Sequence, residues 1–306
     1  MSRPPSRFAI AALLVATGIP LGAAVPLGRL AVEAGVSPLA FALFPALVGG
    51  TLLALIAIAR GESPGRLPRL ALFGLVAGLL SNALPNTLAA WSAANAGASL
   101  TAVAYTLPPV FTFAYGLLLG FERFRWARMI ALGCGLGGAL WLAASQVVDG
   151  AIGVAGALVL FAIPAIVGIG NLYRAHRMPR GTAGEWLGAA VSLGAAAWLL
   201  PAWSALPEAD RAIPLAGLPW LTLQVVAAAA AQVLFFALMR RVEPVTMSVV
   251  GYVMAIVAAL IGAGLLGERL PWQFGPAALL IAFGVWLLLR TPAPPPPRGL
   301  TGESHA

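Results

Sequence analysis

About ten runs of roughly 20 apolar residues follow one another along this chain, each the length an α-helix needs to cross about 30 Å of hydrocarbon at about 1.5 Å per residue. They extend from Phe8 to Leu27, Pro38 to Ala59, Leu70 to Ala90, Ala98 to Leu119, Trp126 to Ser145, Ile152 to Tyr173, Trp186 to Leu206, Leu218 to Met239, Val245 to Leu266 and Trp272 to Leu289. The third and fourth are the hardest to separate, because Asn82, Pro85, Asn86, Ser92 and Asn95 dilute the apolar signal between them. A chain with 60% hydrophobic and 9% charged residues cannot clothe itself in a polar surface, so its solvent is lipid. The predicted fold class is an all-α membrane protein. Arg3 and Arg7 before the first run, and Gly22-Ala23-Ala24 within it, mimic a secretory leader; nine further spans favour a retained helix.

The arginines test the helix count independently, because one helix more or fewer would move every later loop to the other side. With the N-terminus inside, Arg3, Arg7, Arg60, Arg66, Arg69, Arg123, Arg125, Arg128, Arg174, Arg177, Arg180, Arg240, Arg241, Arg290 and Arg298 all fall on the cytoplasmic side. Only Arg29, Arg211 and Arg269 fall outside. This bias follows the positive-inside rule and predicts both termini in the cytoplasm. The net charge of +8 therefore reads as a topology signal, and no nucleic-acid partner is expected. Lysine is absent, and the arginine, alanine and glycine bias suggests a GC-rich bacterial coding sequence. Most tryptophans, including Trp91, Trp126, Trp186, Trp203, Trp220 and Trp272, fall near span ends, where an aromatic belt lies. After Arg290, the proline-rich segment 291–306 reads as a disordered cytoplasmic tail.

The chain also repeats itself. Leu118-Leu119-Gly120-Phe121-Glu122-Arg123, followed by Trp126, recurs as Leu265-Leu266-Gly267-Glu268-Arg269, followed by Trp272, with the two glutamates 146 positions apart. Five spans per repeat is an odd number, so the predicted architecture is ten transmembrane helices arranged as two inverted five-helix repeats, 8–145 and 152–290. Pro109-Val110-Phe111, the run to Gly120 and Glu122, Trp126 and the glycines Gly133, Gly137 and Gly138 resemble the end of an EamA domain of the drug/metabolite transporter superfamily. Leu266-Gly267-Glu268-Arg269-Leu270, Trp272 and Gly284 resemble the end of a second copy. The resemblance covers essentially the whole chain and implies export or exchange of small metabolites through a central cavity. Departures are present: Thr17-Gly18 stands where the family usually has Trp-Gly, Ser37-Pro38 is followed by Phe44-Pro45 without the usual arginine, and Pro109 is matched by Ala255. They weaken any transfer of substrate identity.

Glu122 and Glu268 invite a proton-carrying reading, but both fall between spans, where a carboxylate caps the fifth and tenth helices and meets an arginine. The pairs Gly74 with Gly78, Gly116 with Gly120 and Gly133 with Gly137 have the spacing of close helix packing. A pathway is better sought among neutral polar side chains within spans, which are costly facing lipid. The candidates for substrate binding are Asn82 and Asn86, which share a helix face; Gln224 and Gln232; and Tyr105 and Tyr252, near-equivalent under the repeat and expected where the repeats meet. For each, interhelical hydrogen bonding explains as much as substrate contact. Asn171 and Tyr173 close the sixth span and read equally as interfacial. Pro108 and Pro109 either kink the fourth helix passively or free carbonyls toward a cavity.

Absences separate the function classes. His176 and His305, the only histidines, fall in a loop and in the tail, and there is no zinc motif, acidic pair or lysine. The single Cys134 has no partner for a disulfide or a thiolate metal site within the chain. No catalytic residues, metal or cofactor are therefore expected. The reading is an inner-membrane transporter, exporter or exchanger, of neutral or zwitterionic metabolites such as amino acids, with a polar, uncharged, aromatic-lined cavity and alternating access. The rival is a non-transporting receptor or scaffold. The expected partners are a small-molecule substrate and the lipid bilayer, with monomer and homodimer both open. Every acidic residue falls in a loop, at a span end or in the tail, which points to facilitated diffusion or exchange rather than proton or sodium coupling.

Overall fold

A computed structural model describes residues 7–122, 124–148, 153–242, 247, 250–268 and 272–290. The predicted tail 291–306 lies outside them. Among the described residues there are only helices and their connections: α1 (Arg7–Glu33), α2 (Pro38–Ala59), α3 (Leu67–Ala96), α4 (Ala98–Ala104), α5 (Pro108–Leu118), α6 (Trp126–Val148), α7 (Val154–Arg177), α8 (Gly184–Ser204), α9 (Leu218–Met239), α10 (Val250–Leu265) and α11 (Phe274–Arg290). Seven described segments are long and apolar enough to cross a bilayer, and Val253–Leu265 is a shorter apolar stretch. Large apolar side chains such as Leu55, Ile58, Leu72, Leu158, Leu260 and Leu279 stand exposed on the periphery, which suits a lipid surround. The molecule is a multi-pass helical membrane protein.

Helix ends follow local chemistry. α1 runs one and a half turns past its predicted end and stops at Gly35, whose φ of +89° closes the helix while the Val36 N–H returns to the Ala31 carbonyl. Ser37 then caps α2, its hydroxyl accepting from the Ala40 N–H at 3.3 Å, with Pro38 in the first turn. α7 extends to Arg177 rather than stopping at Tyr173, because Arg174, His176 and Arg177 favour the negative end of its dipole. That extra turn carries Asn171, Tyr173 and Arg174 inside the helix.

The two Gly-Glu turns close alike, Glu122 and Glu268 each donating their N–H to the carbonyls of Gly116 and Gly262 at 3.0 Å. Their carboxylates do different work. Glu122 pairs with Arg128, in the first turn of α6, at 2.7 Å. Glu268 reaches the other half of the chain: its Oε1 accepts from the Ala98 N–H at 2.7 Å, at the start of α4, and also binds Arg29 of α1. The turn at Gly267, with φ +63°, is followed by a carboxylate that reaches Gly97 and Ala98 in the other half.

Only one of the three predicted glycine pairs packs helices closely. Gly74 and Gly78 of α3 meet Ala190 to Ala195 of α8, and a Cβ on Gly74 would lie 2.3 Å from the Ala190 carbonyl oxygen. Gly116 abuts Glu122, Gly120 has φ +73°, and so this pair shapes a turn. Among the described residues nothing lies within 4 Å of a Cβ on Gly133, and the nearest neighbour of one on Gly137 is Leu280 at 3.9 Å. Two unpredicted glycines do the work elsewhere: Gly18 and Gly22 seat α1 against Val253, Met254 and Val257 of α10.

Candidate functional site

Three of the helical segments are irregular. Pro45 opens a π-helical turn over Pro45–Gly49 in α2, a second π turn over Leu79–Ala83 precedes Pro85 in α3, and the chain breaks at Tyr105 to Leu107 before Pro108 and Pro109. Each proline lacks an N–H and so frees a carbonyl about one turn earlier. Backbone of this kind survives at membrane depth only where it meets protein or a cavity rather than lipid. Pro45, Ser81, Asn82, Tyr105 and Pro108 indeed line one internal cavity of about 130 Å³. Pro108, at this break, lies on the cavity wall.

Asn82, Asn86, Tyr105, Gln224 and Gln232 all line this cavity. Asn82 and Asn86 are half-buried on α3, one turn apart. Tyr105 is buried, its hydroxyl 3.5 Å from the Pro85 carbonyl oxygen. Gln232 donates to Ser192 Oγ at 3.5 Å, while the buried Oε1 of Gln224 has no partner among the described residues. The side chain of Tyr252 lies outside the described set; its helix neighbours Gly251 and Met254 line the cavity. Position 105 meets position 251, its counterpart under the 146-residue offset: a Cβ on Gly251 would lie 1.8 Å from the Tyr105 carbonyl oxygen.

The expectation of an uncharged cavity is overturned by Arg174. It lines the cavity and is 5% exposed, with its Nη2 donating to Asn171 Oδ1 at 2.7 Å and its guanidinium carbon 4.0 Å from the centre of the Phe235 ring. Stacking on an aromatic face is worth about 0.5–2 kcal/mol, well short of the cost of burying a cation. Asn171 also lines the cavity and is buried. Sequence reasoning missed Arg174 because it counted the residue as a loop charge. The signal was the spacing: Asn171 and Arg174, three apart, share a face once the helix is carried to Arg177. Among the described residues, no group of three His, Cys, Asp or Glu side chains gathers to hold a metal ion.

A multi-pass helical protein whose helix breaks border a cavity with polar groups on its wall is built as solute carriers are. Residues 8–144 match the model of the EamA-like transporter family, which belongs to the drug/metabolite transporter superfamily. Among curated proteins, none matches it. A solved structure described only as "Crystal structure of protein" superposes with a TM-score of 0.67 at 19% identity, covering 92% of this chain and 97% of that one. At that identity the likeness concerns the fold alone.

Proposed function

We propose that this protein is a transporter, exporter or exchanger, of small neutral or zwitterionic metabolites such as amino acids, working by alternating access across a bacterial inner membrane with both termini in the cytoplasm. The observation that carries the reading is the convergence of Asn82, Asn86, Tyr105, Gln224 and Gln232 on one cavity bounded by proline-induced breaks. The ten-span, two-repeat arrangement is supported by helix pairings that survive exchange of the halves under the 146-residue offset. α1 packs on α10 as α7 packs on α5; α1 on α9 as α7 on α3; α3 on α8 as α9 on α2; and α6 packs on its own counterpart α11. Every described acidic side chain lies away from the cavity lining, which favours movement down the substrate's own gradient.

The test is counterflow of radiolabelled amino acids and related solutes into proteoliposomes holding the purified chain. Uptake above protein-free vesicles is expected for at least one solute, with Tyr105→Ala lowering its initial rate about tenfold, equivalent to about 1.4 kcal/mol. Uptake no greater than in empty vesicles across the panel leaves a receptor or scaffold. A pH or sodium gradient imposed with equal substrate on both sides should drive no accumulation.

Orientation is tested separately. In a Cys134→Ser background, a cysteine placed beside Glu268 should react with an impermeant thiol reagent added outside intact cells, and one beside Glu122 should not. Equal labelling at both positions is incompatible with inverted repeats.

A further inference from the structure

We infer that Arg174 is the binding site for an anionic group, a carboxylate or a phosphate, on the transported solute; this rests on the transport reading and narrows it. A guanidinium offers five N–H donors in a planar fork that matches both oxyanions, and it stays charged when buried. Here one donor meets Asn171 Oδ1, and the buried Nε has no partner among the described residues. No carboxylate among them lies within 4.0 Å: Glu33 and Glu268 meet Arg29, Glu185 meets Arg60, and Glu122 meets Arg128.

Two plainer roles fit less well. A cation at a helix C-terminus serves the dipole when it reaches the last carbonyls, yet Arg174 turns to a side chain within its own helix and to a ring on α9. A snorkelling arginine carries its head to water, whereas this one is 5% exposed and lines the cavity. The Phe235 ring fixes one face of the guanidinium plane, and Asn171 holds one of its terminal nitrogens. An anion arriving from the cavity supplies the missing acceptors. Gln232, one turn before Phe235 on α9 and also on the cavity wall, adds a neutral hydrogen-bonding group nearby.

Glu243 lies outside the described residues, a few positions beyond α9, so the experiment includes it. The purified full chain is heated in detergent at fixed ionic strength with L-leucine or L-leucinamide, isovalerate or isovaleramide, and inorganic phosphate. Preference for the first two acids identifies a carboxylate site, and preference for phosphate a phosphate site. At least one anion should raise the unfolding midpoint by about 2 °C or more, with no comparable rise from the amides. Arg174→Gln should abolish the rise and Arg174→Lys should reduce it. Asn171→Asp places a carboxylate against the guanidinium, and should raise the midpoint without ligand while abolishing the response to anions. That variant keeps the test sound if Arg174→Gln fails to fold.

No anion response in the parent, or a response that survives in both Arg174→Gln and Asn171→Asp, overturns the assignment. A response that appears only on Glu243→Gln makes Arg174 half of an internal ion pair and overturns it too. Vesicle uptake indifferent to the carboxylate removes the anion site and leaves transport standing. Arginine-dependent anion binding without uptake does the reverse.

Discussion

Gly194→Leu is expected to lower the thermal unfolding midpoint of the detergent-purified protein by about 5 °C, the equivalent of about 3 kcal/mol for a chain of this size. α3 and α8 cross with their backbones touching: a Cβ on Gly194 would lie 2.1 Å from the Gly74 carbonyl oxygen, and one on Gly78 would lie 2.4 Å from the Ala195 nitrogen. Overpacking costs about 1–3 kcal/mol when side chains can yield, and backbone atoms cannot. The helices must separate, which also disturbs Ser192 and Ser81 on the cavity wall. Gly133→Leu is the control, because no described residue lies within 4 Å of that position on α6. It should change stability by no more than about 0.5 kcal/mol. Comparable losses in both variants would mean that α3 and α8 do not cross this closely.

Glu122→Ala is expected to cost about 3–5 kcal/mol, because it takes the carboxylate from the guanidinium of Arg128, which is 3% exposed and bound at 2.7 Å. Most of that loss reflects a buried charge left poorly matched rather than net attraction in the pair. Glu122→Leu combined with Arg128→Met should therefore recover most of the stability, since apolar replacement of a buried pair is often neutral. Glu268→Ala should cost less, about 1–2 kcal/mol. Its partner Arg29 is more exposed and keeps Glu33 as a second carboxylate, so the main loss is the cap on α4. Denaturant titration of the three variants checks the order. A double variant no more stable than Glu122→Ala would show that the ion pair contributes through its geometry and not through mutual neutralisation.

Legibility differed with the kind of signal. α9 was legible to the residue, Leu218–Met239, because an uninterrupted apolar run ends abruptly at Arg240 and Arg241. The fourth span was only half legible: Pro108 and Pro109 announced an irregularity, but the separation into α4 and α5 depends on Tyr105 packing its carbonyl against Gly251. Both π turns were missed, since a proline in an apolar run does not say how the preceding turn will rearrange. The candidate cavity was more legible than its charge. Neutral polar residues within spans pointed to the wall because lipid penalises them. Arg174 resembled the arginines of the connections until the helix was seen to continue past it.

Hydropathy period and length by themselves determined that this chain is helical and lives in a bilayer, because no other solvent accepts so many apolar runs and no other element satisfies its own backbone there. The residues of Leu118 to Trp126 carried the likeness to the family whose model matches residues 8–144, since turn glycine, carboxylate and tryptophan are all local requirements. Which helices touch, what Glu268 caps and where Arg174 points were decided only by tertiary structure. Those outcomes depend on pairs of residues far apart in the chain, such as Glu268 with Ala98 and Arg174 with Phe235, and on small residues whose close approach no local pattern specifies.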